Sequence, residues 1–308
     1  MSTLQTDTLR GQSVLVTGGS GFIGAELVRQ LVELGALVTV QTRYPKLTRG
    51  KLPASVVVLE DLLRLNPSGY DAVVNLAGAP IMDERWSKKR QAELLASRVD
   101  TTELLLEHLR NLNKFPEVVV SGSAIGFYGD TGNSAADETA AGGEGFAAQL
   151  CRSWEASAQG FAAEGARLCL LRTGVVLANG GGALQRMLTP FKLGLGGPIG
   201  SGKQWMSWIH RNDLVRMILW LLVDGEVRGP VNAVAPEPVT NKMFTRTLAE
   251  VLNRPCFFPM PAAAVRLLFG QAGQELLLAS NRVNPSVALS RQFSYQFSVL
   301  DEALIASV

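Results

Sequence analysis

Along the chain, short apolar runs that end in glycine or polar turns alternate with stretches carrying an apolar residue every third or fourth position. Ser13 to Thr17 (SVLVT) is a β-branched run that stops at glycines, which predicts a buried strand. Ile23 to Leu34 follows, with Ile23, Leu27, Leu31 and Leu34 on one helical face and Gly35 as its stop. Leu37 to Thr42, Val56 to Leu59, Ala72 to Leu76 and Val118 to Val120 repeat the strand signature, and Lys88 to Leu112 predicts a long helical stretch between the last two. Gly145 to Gln159 reads as another helix, and Leu168 to Leu177 (LCLLRTGVVL) as another buried strand. Strands separated by helices build βαβ units, so the expected class is α/β, a doubly wound parallel sheet covered on both faces.

After Ala178 the texture changes. Asn179 to Gly182 and Gly194 to Gly202 are glycine-rich and read as loops, before a helix from about Asn212 to Val223 and a strand near Val231 to Val234 restore the pattern. From Pro255 onward proline mixes with a Leu-rich helix, Ala262 to Ala279, and a last short helix. The expected division is residues 1–180 as a nucleotide-binding domain and 181–308 as a smaller C-terminal substrate lobe, with about 205–235 returning to the first domain.

Composition narrows the class without naming a function. The 308 residues are 47% hydrophobic and 18% charged, ordinary for a globular chain with a large core. Lys plus Arg exceed Asp plus Glu by 29 to 27, a net charge of +2, which offers no electrostatic footprint for nucleic acid or an anionic membrane. The apolar run Met217 to Val223 is far shorter than the about 20 residues a membrane span needs. The first twelve residues, MSTLQTDTLRGQ, lack the apolar stretch of a secretory leader, and the three cysteines are odd in number and far apart. Both point to a reducing, cytoplasmic setting. Two histidines, His108 and His210, are too few for a His-based metal cluster, so no metal is expected.

The chemistry begins between the first strand and the first helix, at TGGSGFIG (Thr17 to Gly24). Gly18, Gly21 and Gly24 allow a tight turn, a close approach to a pyrophosphate and close helix–strand packing, while the helix start offers N–H donors to the anion. With Thr17, Ser20, Phe22 and Ile23 these residues form the expected dinucleotide loop of a Rossmann domain. An acid about 20 residues past the first glycine would favour NAD. Instead Leu34 to Leu59 contains no Asp or Glu, and Thr42 and Arg43 stand at the end of the second strand. A guanidinium there suits the 2′-phosphate of NADP, so NADP is the expected cofactor.

These segments resemble the extended short-chain dehydrogenase/reductase group: TGGSGFIG, then Asn75-Leu-Ala-Gly78, then Ser121 to Gly129 (SGSAIGFYG). Arg85-Trp86, CRSWE (Cys151 to Glu155), LRTGVVL (Leu171 to Leu177), GLGGPIGSGKQ (Gly194 to Gln204) and WIH (Trp208 to His210) are similar to the subgroup called the YfcH-like or SDR39U1-like epimerases. The resemblance runs from Ser13 to about Leu304. It implies a Rossmann domain, a small C-terminal substrate lobe and NADP(H). It also implies that Asp61 and Leu62 lie near the adenine, that Asn75, Leu76, Ala77, Gly78 and Ala79 line the phosphate and ribose side, and that the loop with Arg85 folds over the pyrophosphate. By the same resemblance Gly174 and Val175 approach the carboxamide, with Ser121 also on the cofactor side. Ala79 stands where related sequences often carry Glu.

Short-chain dehydrogenases move protons with a Ser and a Tyr-Lys pair four residues apart on one helix face. Ser123 matches the serine, but the other two positions, counted about 23 and 27 residues on, fall on Phe146 and Leu150. Ser123, Tyr128 and Glu138 remain the candidate catalytic residues, each with a plain structural role as its alternative. His210 reads as structural. Gly197 to Lys203 has phosphate-loop spacing, but Gln204 replaces the needed Ser or Thr and Trp205-Met-Ser-Trp-Ile looks extended, so a flexible loop offering Lys203 and Gln204 to a polar ligand is expected. The expected function is an oxidoreductase or epimerase acting by hydride transfer on a polar small molecule, with nucleotide-linked compounds as one class. The alternative is a non-catalytic NADP(H) sensor.

Overall fold

A computed structural model describes residues 8–308; residues 1–7, part of the polar stretch read for a leader, lie outside it. The central sheet has seven parallel strands: β1 (Ser13–Thr17), β2 (Leu37–Gln41), β3 (Val57–Leu59), β4 (Ala72–Asn75), β5 (Val118–Ala124), β6 (Arg167–Thr173) and, after three short strands elsewhere, β10 (Gly229–Ala233). Their order across the sheet is β3-β2-β1-β4-β5-β6-β10. The order reverses between β1 and β4, the crevice where open α/β sheets bind ligands.

Alternation along each strand feeds two cores. Val14, Val16, Val74, Val120 and Leu171 point to one face, beneath α1 (Gly24–Glu33) and α7 (Arg211–Val223). Leu15, Val73, Val119 and Leu170 point to the other, beneath α4 (Val99–Arg110) and α5 (Phe146–Ala163). Each such side chain, fully buried, contributes about 1.5–3 kcal/mol of transfer free energy.

Three departures from the sequence pattern have local causes. The stretch expected as one helix from Lys88 to Leu112 is two, α3 (Lys88–Ala96) and α4, because Ser97 turns its hydroxyl onto the Leu94 carbonyl and accepts the Ala79 N–H. The expected strand Leu168 to Leu177 breaks at Gly174 into β6 and β7 (Val175–Leu177), since a Cβ at 174 would stand 2.8 Å from the Ser207 carbonyl oxygen. The Leu-rich helix ends as α9 (Ala262–Gly273), with a non-helical kink at Gly270 and a π turn over Gln274–Leu278.

A third apolar cluster joins α6 (Gly182–Lys192), α8 (Asn241–Val251) and α11 (Leu300–Ile305) through Leu184, Leu188, Phe244, Leu248 and Leu304. Short strands pair apart from the central sheet, β8 (Trp205–Met206) antiparallel with β11 (Val239–Thr240) and β9 (Trp208–His210) parallel with β7, while the short helices α2 (Pro45–Arg49) and α10 (Ser286–Ser290) pack against β3 and β10. His210 caps α7: its Nδ1 accepts the Asn212 N–H at 3.2 Å, and its ring lies 4.0 Å from Phe297. Buried there beside Arg211, it has a pKa pulled down to about 4. Asp213, fully buried, accepts the N–H groups of Gln296 and Phe297 and so ties the tail to α7. No helix among the described residues is long and apolar enough to cross a membrane.

Candidate functional site

The glycine loop is shaped by contacts that leave no room for side chains. Gly18 has φ +69°, and a Cβ on it would sit 2.6 Å from the Leu76 carbonyl oxygen; one on Gly24 would sit 2.2 Å from the Gly18 oxygen. Gly21 donates its N–H to that same oxygen at 3.0 Å. The loop delivers the chain into α1, whose N-cap, Ile23, has no side chain to satisfy the first N–H groups. An uncapped helix start is an anion site in waiting.

Thr17 and Asn75 act beneath the loop. Thr17 Oγ1 donates to Asn75 Oδ1 at 2.6 Å, and Asn75 Nδ2 donates to Thr102 Oγ1 at 2.8 Å, all of it buried. Phe22 packs against the Gly181 and Gly182 backbone under the Arg211 guanidinium, at 4.9 Å. At the end of β2, Ser20 Oγ and Thr42 Oγ1 are 3.5 Å apart, and exposed Arg43 lies 5.7 Å from the Tyr44 ring with no ion-pair partner among the described residues. A cavity of about 620 Å³ opens beside Ser20, Phe22, Lys51 and Arg211. Asp61 caps the turn that buries Leu62, accepting the Leu63 N–H at 2.9 Å. Arg85 Nη2 donates to the Leu267 carbonyl at 2.8 Å, crossing from its loop to α9. Ser121 is buried with an unpartnered hydroxyl. Val175 donates its N–H to the Ser207 carbonyl just beyond the tight crossing at Gly174.

Ser123, Tyr128 and Glu138 meet in one buried network, joined by residues the sequence reading passed over. Ser123 Oγ donates to Glu155 Oε1 at 2.7 Å. Arg172 grips Glu155 with two bonds, Nε to Oε1 at 2.8 Å and Nη2 to Oε2 at 2.9 Å. Its Nη1 donates to the Tyr128 hydroxyl at 2.9 Å, and that hydroxyl donates onward to Asn232 Oδ1 at 2.6 Å. Glu138 is not a solvated loop acid but buried, its Oε1 accepting the N–H groups of Asn232 and Val287. Burial raises the Tyr128 phenol above its ordinary pKa, despite the guanidinium beside it. Arg172 is a charged residue inside an otherwise apolar strand run, and that was a readable signal: a buried guanidinium requires an acceptor.

The positions counted for the missing Tyr-Lys pair require correction. Phe146 and Leu150 face away from Ser123, into a cluster with Ala79, Trp86 and Leu94; the Phe146 ring meets Trp86 edge-on at 4.9 Å. One residue later on the helix, a turn of about 100°, Ala147 and Cys151 face the turn that follows Ser123. A Cβ on Gly126 would meet Ala147 Cβ at 3.4 Å and Cys151 Sγ at 3.8 Å. Burial pushes the Cys151 thiol up to about 11, so it stays protonated. Either offset leaves the helix without phenol or ammonium. Beside Ala147 a cavity of about 110 Å³ opens toward Gly126, Glu275 and Asn281. Glu275 closes its far side, accepting the N–H groups of Phe146 at 3.2 Å and Ala147 at 2.8 Å.

Gln204 was expected to face a ligand, and it does not. Its amide donates to the carbonyls of Ile199 and Leu277, both at 3.0 Å, binding the glycine loop to the π turn, while Lys203 stays exposed. Among the described residues, no three His, Cys, Asp or Glu side chains are grouped to hold a metal.

A parallel sheet with its switch point at β1 and β4, and a forced glycine loop opening α1, define a dinucleotide-binding α/β protein. The chain belongs to the NAD dependent epimerase/dehydratase family, which it matches over residues 14–233; residues 260–306 match a domain of unknown function, DUF1731. It is 37% identical to the human epimerase family protein SDR39U1 over 294 residues, 94% of this chain and 98% of that one. The crystal structure of that human protein with NADPH superposes with a TM-score of 0.86, covering 95% of this chain and 98% of the other. A nucleoside-diphosphate sugar epimerase from Corynebacterium glutamicum, 30% identical, gives a TM-score of 0.77 over 99% of this chain and 60% of its own.

Proposed function

We propose that this protein binds NADP(H) and works as an epimerase-like oxidoreductase on a polar small molecule. The observation that carries the reading is the loop in which Gly18 and Gly24 cannot bear side chains, leading to a helix with no side-chain cap, with Arg43 at the end of β2 free of an ion-pair partner among the described residues. The NADPH bound by the human relative supports it. Gly18, Gly21 and the first turn of α1 would hold the pyrophosphate, and Ser20, Thr42 and Arg43 the 2′-phosphate. Ser121, with its orphaned hydroxyl, and the Asn75–Ala79 segment would serve the nicotinamide half. The chemistry such a cofactor would supply is reversible hydride exchange, accepted from a carbinol carbon in the oxidised form and returned to the carbonyl in the reduced form. Ser123 commits its proton to Glu155, so its oxygen offers a lone pair and suits a substrate hydroxyl better than a carbonyl. The nucleoside-diphosphate sugar epimerase likeness supports a nucleotide-linked polyol as the substrate class. Residence in the cytoplasm belongs to the same reading, supported by three unpaired cysteines.

Fluorescence titration with NADPH and NADH tests the cofactor. Arg43→Ala should cost about 1.5–3 kcal/mol in NADPH affinity, the range for a hydrogen bond to a charged group, and leave NADH nearly unchanged. Failure of the unaltered protein to bind NADPH would refute the reading. A second reading, a cofactor-holding sensor without turnover, is favoured by one observation: the helix face against the turn that follows Ser123 carries Ala147 and Cys151, neither a phenol nor an ammonium. Bound NADPH that no carbonyl compound oxidises, together with bound NADP⁺ that no nucleotide sugar reduces, would select it.

A further inference from the structure

Arg98, at the start of α4, is a partly buried cation with no anion beside it among the described residues. Its guanidinium donates to the carbonyls of Leu94 at 3.1 Å and Ala79 at 3.0 Å, and to Ser97 Oγ at 3.3 Å. It lies 5.2 Å from the Trp154 ring and so close to Gly78 that a Cβ there would stand 3.0 Å from its Cζ. Among the described residues it has no ion pair, and the charged side chain acting on it is Arg90, of like sign. Burial draws its pKa down to about 10, so at neutral pH it remains a cation. Carbonyl dipoles offset part of the cost of burying such a charge but do not neutralise it.

Its position gives the charge a use. Arg98 pins the Gly78–Ala79 segment beyond the C-terminal end of β4, at the switch point of the sheet. Cys151, four residues after Ala147 on the helix face beside the Ser123 turn, is a protonated thiol and brings no charge there. We propose that Arg98 supplies from α4 the fixed positive charge that Cys151 cannot, and that this charge makes the site hold the reduced, uncharged nicotinamide in preference to the oxidised, cationic one. The inference rests on the NADP(H) reading above and adds a redox preference to it.

The test compares NADPH, NADP⁺ and 2′,5′-ADP, which carries only the adenine half, by titration calorimetry. The unaltered protein should bind NADPH at least about fivefold more tightly than NADP⁺, the direction set by like-charge repulsion in a partly buried site. Arg98→Met should bring that ratio toward one and leave 2′,5′-ADP affinity unchanged, while Arg98→Lys should keep most of the preference. Equal affinities for the two redox forms in the unaltered protein overturn the proposal with no variant needed, which covers the case that Arg98→Met does not fold. Equal losses of NADPH and NADP⁺ in Arg98→Met also overturn it, since they mark a phosphate or structural contact. If the unaltered protein binds none of the three, the cofactor reading itself fails.

Discussion

Replacing Glu155 by Gln removes one charge from the buried centre and almost no volume. The side chains of Arg172 and Glu155 are only 6% and 9% exposed, and two hydrogen bonds of 2.8 and 2.9 Å join them. Water therefore cannot replace the lost anion, and Arg172 would face one amide oxygen where it had two carboxylate oxygens. Breaking one side of a buried pair costs about 3–5 kcal/mol, because the remaining charge stays desolvated. The Tyr128 hydroxyl and the Glu138 backbone carbonyl that touch Arg172 are dipoles, too weak to cancel a full charge. Thermal unfolding followed by circular dichroism should therefore fall by on the order of 10 °C. The double variant Glu155→Leu with Arg172→Met should recover most of that loss, since apolar replacements of buried pairs are often neutral. A Glu155→Gln protein that melts within a degree or two of the parent would refute the view that charge pairing holds this centre together. So would a double variant less stable than the single one.

Phe146→Ala should cost about 3–5 kcal/mol, as the ring is buried against Trp86 and its removal leaves a cavity; denaturant titration of the pair would show it. His210 gives a pH signature. Its folded pKa of about 4 lies below the ordinary 6.5, so the unfolded chain binds more protons between those values, and stability present above pH 6.5 is lost as pH falls toward 4. The loss should be about 2–3 kcal/mol, and His210→Asn, which keeps an acceptor at the α7 cap, should flatten that part of the melting-temperature profile. Ser123→Ala should leave NADPH affinity unchanged and lower any turnover roughly 10²-fold; unchanged turnover would remove Ser123 from the chemistry.

Strands were legible because parallel strands buried on both faces read as continuous β-branched runs, as Ser13 to Thr17 and Ala72 to Asn75 do. The loop was legible because glycine there answers to contacts that only glycine survives. Helix α6 was not, since Gly180, Gly181 and Gly182 at its entry resemble loop, and its signal is the later spacing of Leu184, Leu188 and Phe191. Neither was the contact between Ser97 and Ala79 that divides α3 from α4, for nothing local announces it. The one-residue error at Phe146 has the same origin: counting from Ser123 crosses an irregular segment, whereas Glu155, fixed by Arg172, marks the helix face directly.

Helix α5 is preceded by Gly145, which has φ +93° and no side chain to receive the first N–H groups, and the carboxylate that does so belongs to Glu275, 128 residues beyond Ala147. The start of the longest helix in the sheet's cover is thus completed from the far end of the sequence. Ordering of that helix turn is thereby linked to docking of the C-terminal segment. A chain ended before Ala262 would keep every strand of the central sheet yet fray at Phe146 and Ala147, beside the Ser123 turn.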